Sequence, residues 1–198
     1  SKSDSYCEHV TKPKGQEEWF KEGFTDYMTV VLMAQNQLID KNILYKRLEN
    51  FQRKYLIAKF MQGIKASIRA SGKQKQRNRM LVYGGGALVA FCLDVEIRSA
   101  NNNTKGVYDL MREMYRQFGE TGKRYTLADV VKIANKLAGK DLKPFFEKYV
   151  NGKAYLDIGP YLQKAGLQIS GFFEEVFVSP RPNAPAKQQE VLKGIFGL

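Results

Sequence analysis

Tyr83-Gly84-Gly85-Gly86-Ala87 lies inside an otherwise apolar stretch, Met80 to Arg98, that keeps helical spacing and carries no turn signal. A glycine in a helix interior costs about 1 kcal/mol relative to alanine, so three in a row need an offsetting gain. Removing their β-carbons lets a neighbouring backbone approach closely, or lets the helix kink. A helix is therefore expected from about Arg79 to Ser99, closely packed or bent at the glycines. Asp94 and Arg98, at i and i+4, are expected to form a structural ion pair on it. A phosphate-cradling loop fits poorly, because no strand precedes the glycines and no Gly-Lys-Ser/Thr follows them.

The flanking segments read as helices too. Phe20, Phe24, Tyr27, Val31 and Ala34 recur at three-to-four spacing and predict a helix from about Gln16 to Leu38. Asp40 is placed to cap a second one, to about Gln62, with Ile43, Leu44, Leu48, Phe51, Tyr55 and Ala58 on its inner stripe. Thr104 is read as the cap of a helix through Tyr108, Met111, Met114 and Phe118, ended by Gly119 and Gly122. Thr126, with Asp129 three residues on, opens another that stops at Gly139. Asp141 opens a short helix with Phe145, Phe146 and Val150. Gly171 to Val178 reads as a strand and Pro180 to Pro185 as linker-like. The expected organisation is an irregular lead-in over 1–15, a helical domain over 16–168, and a strand and linker-like tail over 169–198. The fold class is mainly α: a helical bundle with one short C-terminal strand.

A chain of 198 residues with 43% hydrophobic content suffices for one domain with a real core. It has no run of about eighteen apolar residues, so no membrane span is expected and the compartment, cytoplasmic or periplasmic, stays open. Cys7 and Cys92 are far apart in sequence, which argues against a disulfide framework and makes Cys92 a small core residue. The net charge of +12 suits an acidic partner without naming one. Lys65 to Arg79 holds six basic residues, no acid and no aromatic. Nucleic-acid surfaces interleave aromatics with their cations, so this run is expected to be a solvated loop turning at Ser71-Gly72, and nucleic acid is not the expected partner.

The stretch that carries chemistry is Trp19-Phe20-Lys21-Glu22-Gly23-Phe24-Thr25-Asp26-Tyr27. Glu22 and Asp26, four residues apart, share a helix face one turn from each other. Alone, they fit an ordinary helix start, where acids suit the dipole. The whole pattern, W-F-x-E-G-F-T-D-Y, resembles the second half of a gluzincin zinc site, most closely that of the glycyl-aminopeptidase-like metallopeptidases. Two more stretches resemble the same group in the same order. Tyr83 to Arg98 matches Y-x-K-G-A-L-x-x-x-x-L-D-x-x-I-R except at Gly85, and Asp141 to Gly152 matches D-L-x-x-F-F-x-x-Y-V-x-G. The resemblance covers about Glu18 to Leu167.

It implies the C-terminal subdomain of a thermolysin-like (gluzincin) catalytic domain, cleaving peptides with small N-terminal residues. Glu22 would be the third zinc ligand, Asp26 the acid that accepts the free N–H of a ligand histidine, and Tyr83 the hydrogen-bond donor to the oxyanion. The partners so implied are a peptide substrate, the remainder of the catalytic domain and the PDZ domain that often follows. Gly85 stands where the family usually has lysine and is expected to leave a gap in the site wall. The family's H-E-x-x-H needs two histidines, whereas this sequence has only His9, in a Cys7-Glu8-His9 triplet of the wrong order. The chain alone is thus expected to be inert and zinc-free. Either the histidine helix lies upstream of Ser1, or the site has degenerated into a scaffold or peptide-binding module. In either case Glu22 and Asp26 should lie on one accessible face, and Glu22 and Tyr83 should face a common cleft.

Overall fold

Polar caps and left-handed residues set the helix boundaries in the computed structural model, which describes residues 17–172 and 175–197. Helix α1 begins as a π-helical turn, Trp19–Gly23, and continues unbroken as an α-helix over Phe24–Gln35. Gln37, at φ 57°, stops it. Helix α2, Lys41–Leu56 with a wider last turn at Ile57–Met61, starts where the Asp40 carboxylate accepts the Ile43 N–H at 2.8 Å. Short α3, Ile68–Ser71 with a tighter turn Gly72–Gln74, is capped by the Ser67 hydroxyl. Helix α4 runs through Leu81–Gly85 and Gly86–Ala100. Then come α5 (Val107–Met114 and Tyr115–Gly119), α6 (Leu127–Ala138), α7 (Lys143–Phe146 and Glu147–Asn151) and α8 (Gly159–Lys164). Strands β1, Leu167–Phe172, and β2, Glu175–Pro180, pair antiparallel with Leu167 opposite Pro180, and α9, Ala186–Phe196, follows. Among the described residues the fold is mainly α, with nine helices and a small two-stranded sheet.

Helix α4 is the core. Leu88, Val89, Phe91, Leu93, Val95 and Ile97 point in every direction around it and all are fully buried, as expected of a helix apolar on all sides. Its glycines hold ordinary helical dihedrals, so they do not kink it. They let it touch other backbones. A β-carbon on Gly86 would lie 2.4 Å from the Trp19 carbonyl oxygen, and one on Gly23 would lie 2.3 Å from the Gly86 carbonyl carbon. Gly84 likewise faces α2, where a β-carbon would lie 2.6 Å from Lys54 Cβ. The glycine cost in α4 is therefore offset by close packing against α1 and α2.

The Asp94–Arg98 pair is present and buried. Asp94 accepts from Arg98 Nε at 2.9 Å, from the Tyr27 hydroxyl at 2.9 Å and from the Val107 N–H at 3.1 Å. It thereby joins α4 to α1 and to the start of α5.

Four local expectations need correction. Ile43 is not on the inner stripe of α2 but 42% exposed, because Leu44, one residue on, turns to the core with Leu48, Phe51 and Tyr55. The Lys65–Arg79 run is not a solvated loop turning at Ser71-Gly72: it contains α3, and Ser71 and Gly72 are buried within it. The apolar anchor Ile68 and the Ser67 cap outweigh the surrounding charge. Thr104 does not cap α5; its hydroxyl donates to the Asn101 carbonyl, while the Gly106 N–H donates to the Asp109 carboxylate at 3.0 Å. The segment 169–198 holds more than one strand and a linker. Its two strands form a hairpin, and α9 packs Val191, Ile195 and Phe196 into the core, with Gln35 donating to the Ile195 carbonyl. Cys7, Glu8, His9 and the whole 1–15 lead-in lie outside the described residues. No described helix is long and apolar enough to cross a membrane.

Candidate functional site

The first turns of α1 and α4 meet at the Gly23–Gly86 contact, and this brings their polar residues together. Glu18 precedes α1, and Glu22 and Asp26 follow at successive four-residue steps. Glu22 and Asp26 are both part-exposed, Glu22 with 18% of its side chain accessible, so neither is sealed in the core. Tyr83, in the opening turn of α4, is half-buried beside them.

The charges of these groups act on one another. Burial alone would raise the Glu22 carboxyl, but the hydrogen bond from Lys75 and polar contact with Tyr83 outweigh it and hold the group below the usual carboxylate range. Burial and the Glu22 carboxylate together push the Tyr83 phenol up. Burial also raises Asp26, helped by Glu22 and opposed by Lys54 and Arg79. The structure thus brings all three sequence-predicted residues, Glu22, Asp26 and Tyr83, into one neighbourhood.

Lys75 is the member that sequence reasoning missed. Its ammonium donates to Glu18 Oε2 at 3.0 Å and to Glu22 Oε1, and it stands 6.0 Å from the Tyr83 ring centroid. Arg79 lies over the same ring at 5.4 Å. Glu18 left a trace in the sequence, since acids at 18, 22 and 26 share one spacing. Lys75 left none, because its partners lie two helices away in the chain. The gap expected at Gly85 is absent as well. A β-carbon there would meet Leu81 Cδ1 at 3.1 Å and Ile68 Cδ1 at 3.4 Å, so apolar side chains fill that wall.

A second carboxylate fixes where α1 begins. Glu17 is 1% exposed and accepts from Arg69 Nη2 at 2.6 Å, Trp19 Nε1 at 3.0 Å and the Leu127 N–H at 3.2 Å. It ties α1 to α3 and α6, and so holds Lys75 near Glu22.

The ion pair at Glu22 has a pH signature. A carboxyl whose folded pKa is depressed stabilises the fold above its unfolded value of about 4.3, and loses that contribution as pH falls through the folded pKa. Replacing Lys75 by methionine should therefore lower the melting temperature near neutrality and change it little at the acid end, which flattens the acid side of the profile. Parallel profiles below about pH 4.3 for both proteins would show that the pair contributes nothing to stability.

As a zinc site the described residues fall short. No group of three or more His, Cys, Asp and Glu side chains among them is placed to hold a metal ion. The one carboxylate that the family resemblance assigns to metal is already neutralised by Lys75.

No protein-family model matches the sequence, and no curated protein matches it. A solved structure, described as an aminopeptidase N family protein from Idiomarina loihiensis, superposes with a TM-score of 0.73 at 21% sequence identity. The match covers 84% of this chain and 32% of that one, so the chain spans about a third of that protein's length. At this identity the likeness is one of fold.

Proposed function

We propose that this chain is the helical subdomain of an aminopeptidase-like zinc metallopeptidase acting on peptides with small N-terminal residues. In this reading Glu22 is a metal ligand, Asp26 orients a ligand histidine, and Tyr83 hydrogen-bonds the oxygen that becomes negative as the peptide bond is attacked. The observation that carries it is that Glu22 and Tyr83, on helices distant in sequence, both lie beside the Lys75 ammonium, on a fold shared with an aminopeptidase N family protein. Zinc, when bound, would activate water and polarise the carbonyl. The residues described here do not hold it unaided: the histidine pair must come from elsewhere, and Lys75 must release Glu22. A neutral phenol suits the role given to Tyr83, since it donates a hydrogen bond without repelling a cation.

One observation favours a second reading. With Lys75 on both Glu18 and Glu22, the site is charge-satisfied without metal, as a peptide-binding scaffold that has lost catalysis would be.

Zinc content and aminopeptidase activity of the natural protein that carries this chain separate the two. Glu22→Gln should remove both, whereas Tyr83→Phe should keep zinc and lower kcat about a hundredfold. A natural protein that binds peptide but no zinc would establish the scaffold instead. The isolated chain, titrated by calorimetry, should bind zinc no tighter than roughly millimolar, because a single carboxylate is a poor zinc site.

A further inference from the structure

Beside Tyr83 lies an open cleft of about 580 Å3, lined by Asp26, Lys54, Arg77, Arg79 and Tyr83 among others. Its charge is unbalanced: three cations face one acid. None of Lys54, Arg77 and Arg79 has a carboxylate within ion-pair distance among the described residues. Lys54 is half-buried, and the one carboxylate of the lining, Asp26, feels both Lys54 and Arg79, so it cannot balance all three cations. Concave surfaces lined by one sign of charge concentrate ligands of the other sign.

We infer that this cleft binds an acidic segment of a peptide, with Lys54 and Arg79 pairing with its carboxylates next to Tyr83. The inference adds a specificity for acidic residues to the peptide-binding reading above and rests on it for the peptide backbone. Arginine offers a carboxylate two parallel N–H donors, and Lys54 offers a point charge from the opposite wall on α2. The volume suits a ligand of a few residues. Nucleic acid suits it less. Tyr83 is the only aromatic ring in the lining and Arg79 lies over it, 5.4 Å from its centroid, where a base would otherwise stack.

The test is fluorescence polarisation on the chain with three labelled probes: a short amidated peptide carrying two glutamates, its counterpart with two glutamines, and an oligothymidine. The acidic peptide should bind about tenfold tighter than the neutral one, and lose most of that advantage in Lys54→Gln/Arg79→Gln. A Lys54→Arg variant should retain it. Lys187→Gln/Lys193→Gln removes the same net charge from α9 and should leave binding within about twofold, which separates a cleft effect from the overall +12. Melting curves confirm that each variant is folded. Equal affinity for the two peptides, no binding of either, or equal losses in both double variants would overturn the inference. Oligothymidine binding that exceeds the acidic peptide and depends on Lys54 and Arg79 would reassign the cleft to nucleic acid. None of these readings uses zinc. Lost discrimination with zinc-dependent activity intact defeats this inference alone, and a metal-free natural protein that still discriminates defeats only the peptidase reading.

Discussion

Asp94→Ala is expected to destabilise the fold by about 3–5 kcal/mol, the cost of removing one partner from a buried ion pair. Asp94 is 2% exposed, and its carboxylate receives the Arg98 guanidinium, the Tyr27 hydroxyl and the Val107 N–H. Alanine leaves a nearly buried cation and two donors without an acceptor. The surroundings cannot relax easily, because the backbone at Gly106 packs against the same carboxylate and a β-carbon there would lie 2.3 Å from Asp94 Oδ1. Asn should cost less, since it keeps the shape and one acceptor. Urea unfolding of the two variants reads this directly. A loss below about 1 kcal/mol for Asp94→Ala would mean that water reaches Arg98 and Tyr27, and that the cluster behaves like a surface pair.

Gly86→Val should have the next largest effect. Overpacking a tight contact costs about 1–3 kcal/mol and sometimes more. Here the first added carbon already falls 2.4 Å from the Trp19 carbonyl oxygen, on backbone that cannot rotate away. The only relief is for α1 to move off α4. That motion separates Glu22 from Tyr83, so site properties should change together with stability. Gly171→Ala is a fair control, because its β-carbon would meet nothing closer than 3.6 Å and should shift stability by less than about 0.5 kcal/mol. If Gly86→Val proves as mild as the control, the helices are not in backbone contact in solution.

Both predictions concern features legible in the sequence. The glycine triplet announced a close approach, and spacing announced the Asp94–Arg98 pair. Periodicity and caps placed α1, α2, α4 and α6 within a few residues, because helix signals are local. Segments whose structure depends on distant partners were not legible. Helix α3 exists because Ile68 is buried and Arg69 reaches Glu17, and nothing near residue 69 in the sequence reveals a carboxylate at 17. Helix α9 looked like tail because its apolar residues are few; Tyr27 and Gln35 of α1 receive them. The site divides in the same way. Motif spacing pointed to Glu22, Asp26 and Tyr83, whereas Lys75 and the cations of the neighbouring cleft became visible only once α2, α3 and α4 were packed.

The most direct test of the account is a crystal structure of the natural protein carrying this chain, grown with zinc. Zinc is expected on the Glu22 carboxylate with two histidines from outside residues 17–197, and Lys75 withdrawn from Glu22. The Tyr83 hydroxyl is expected within about 5 Å of the metal, close enough to donate to an oxygen bound there. Zinc absent from Glu22, with the Lys75 ammonium still holding that carboxylate, would contradict the account.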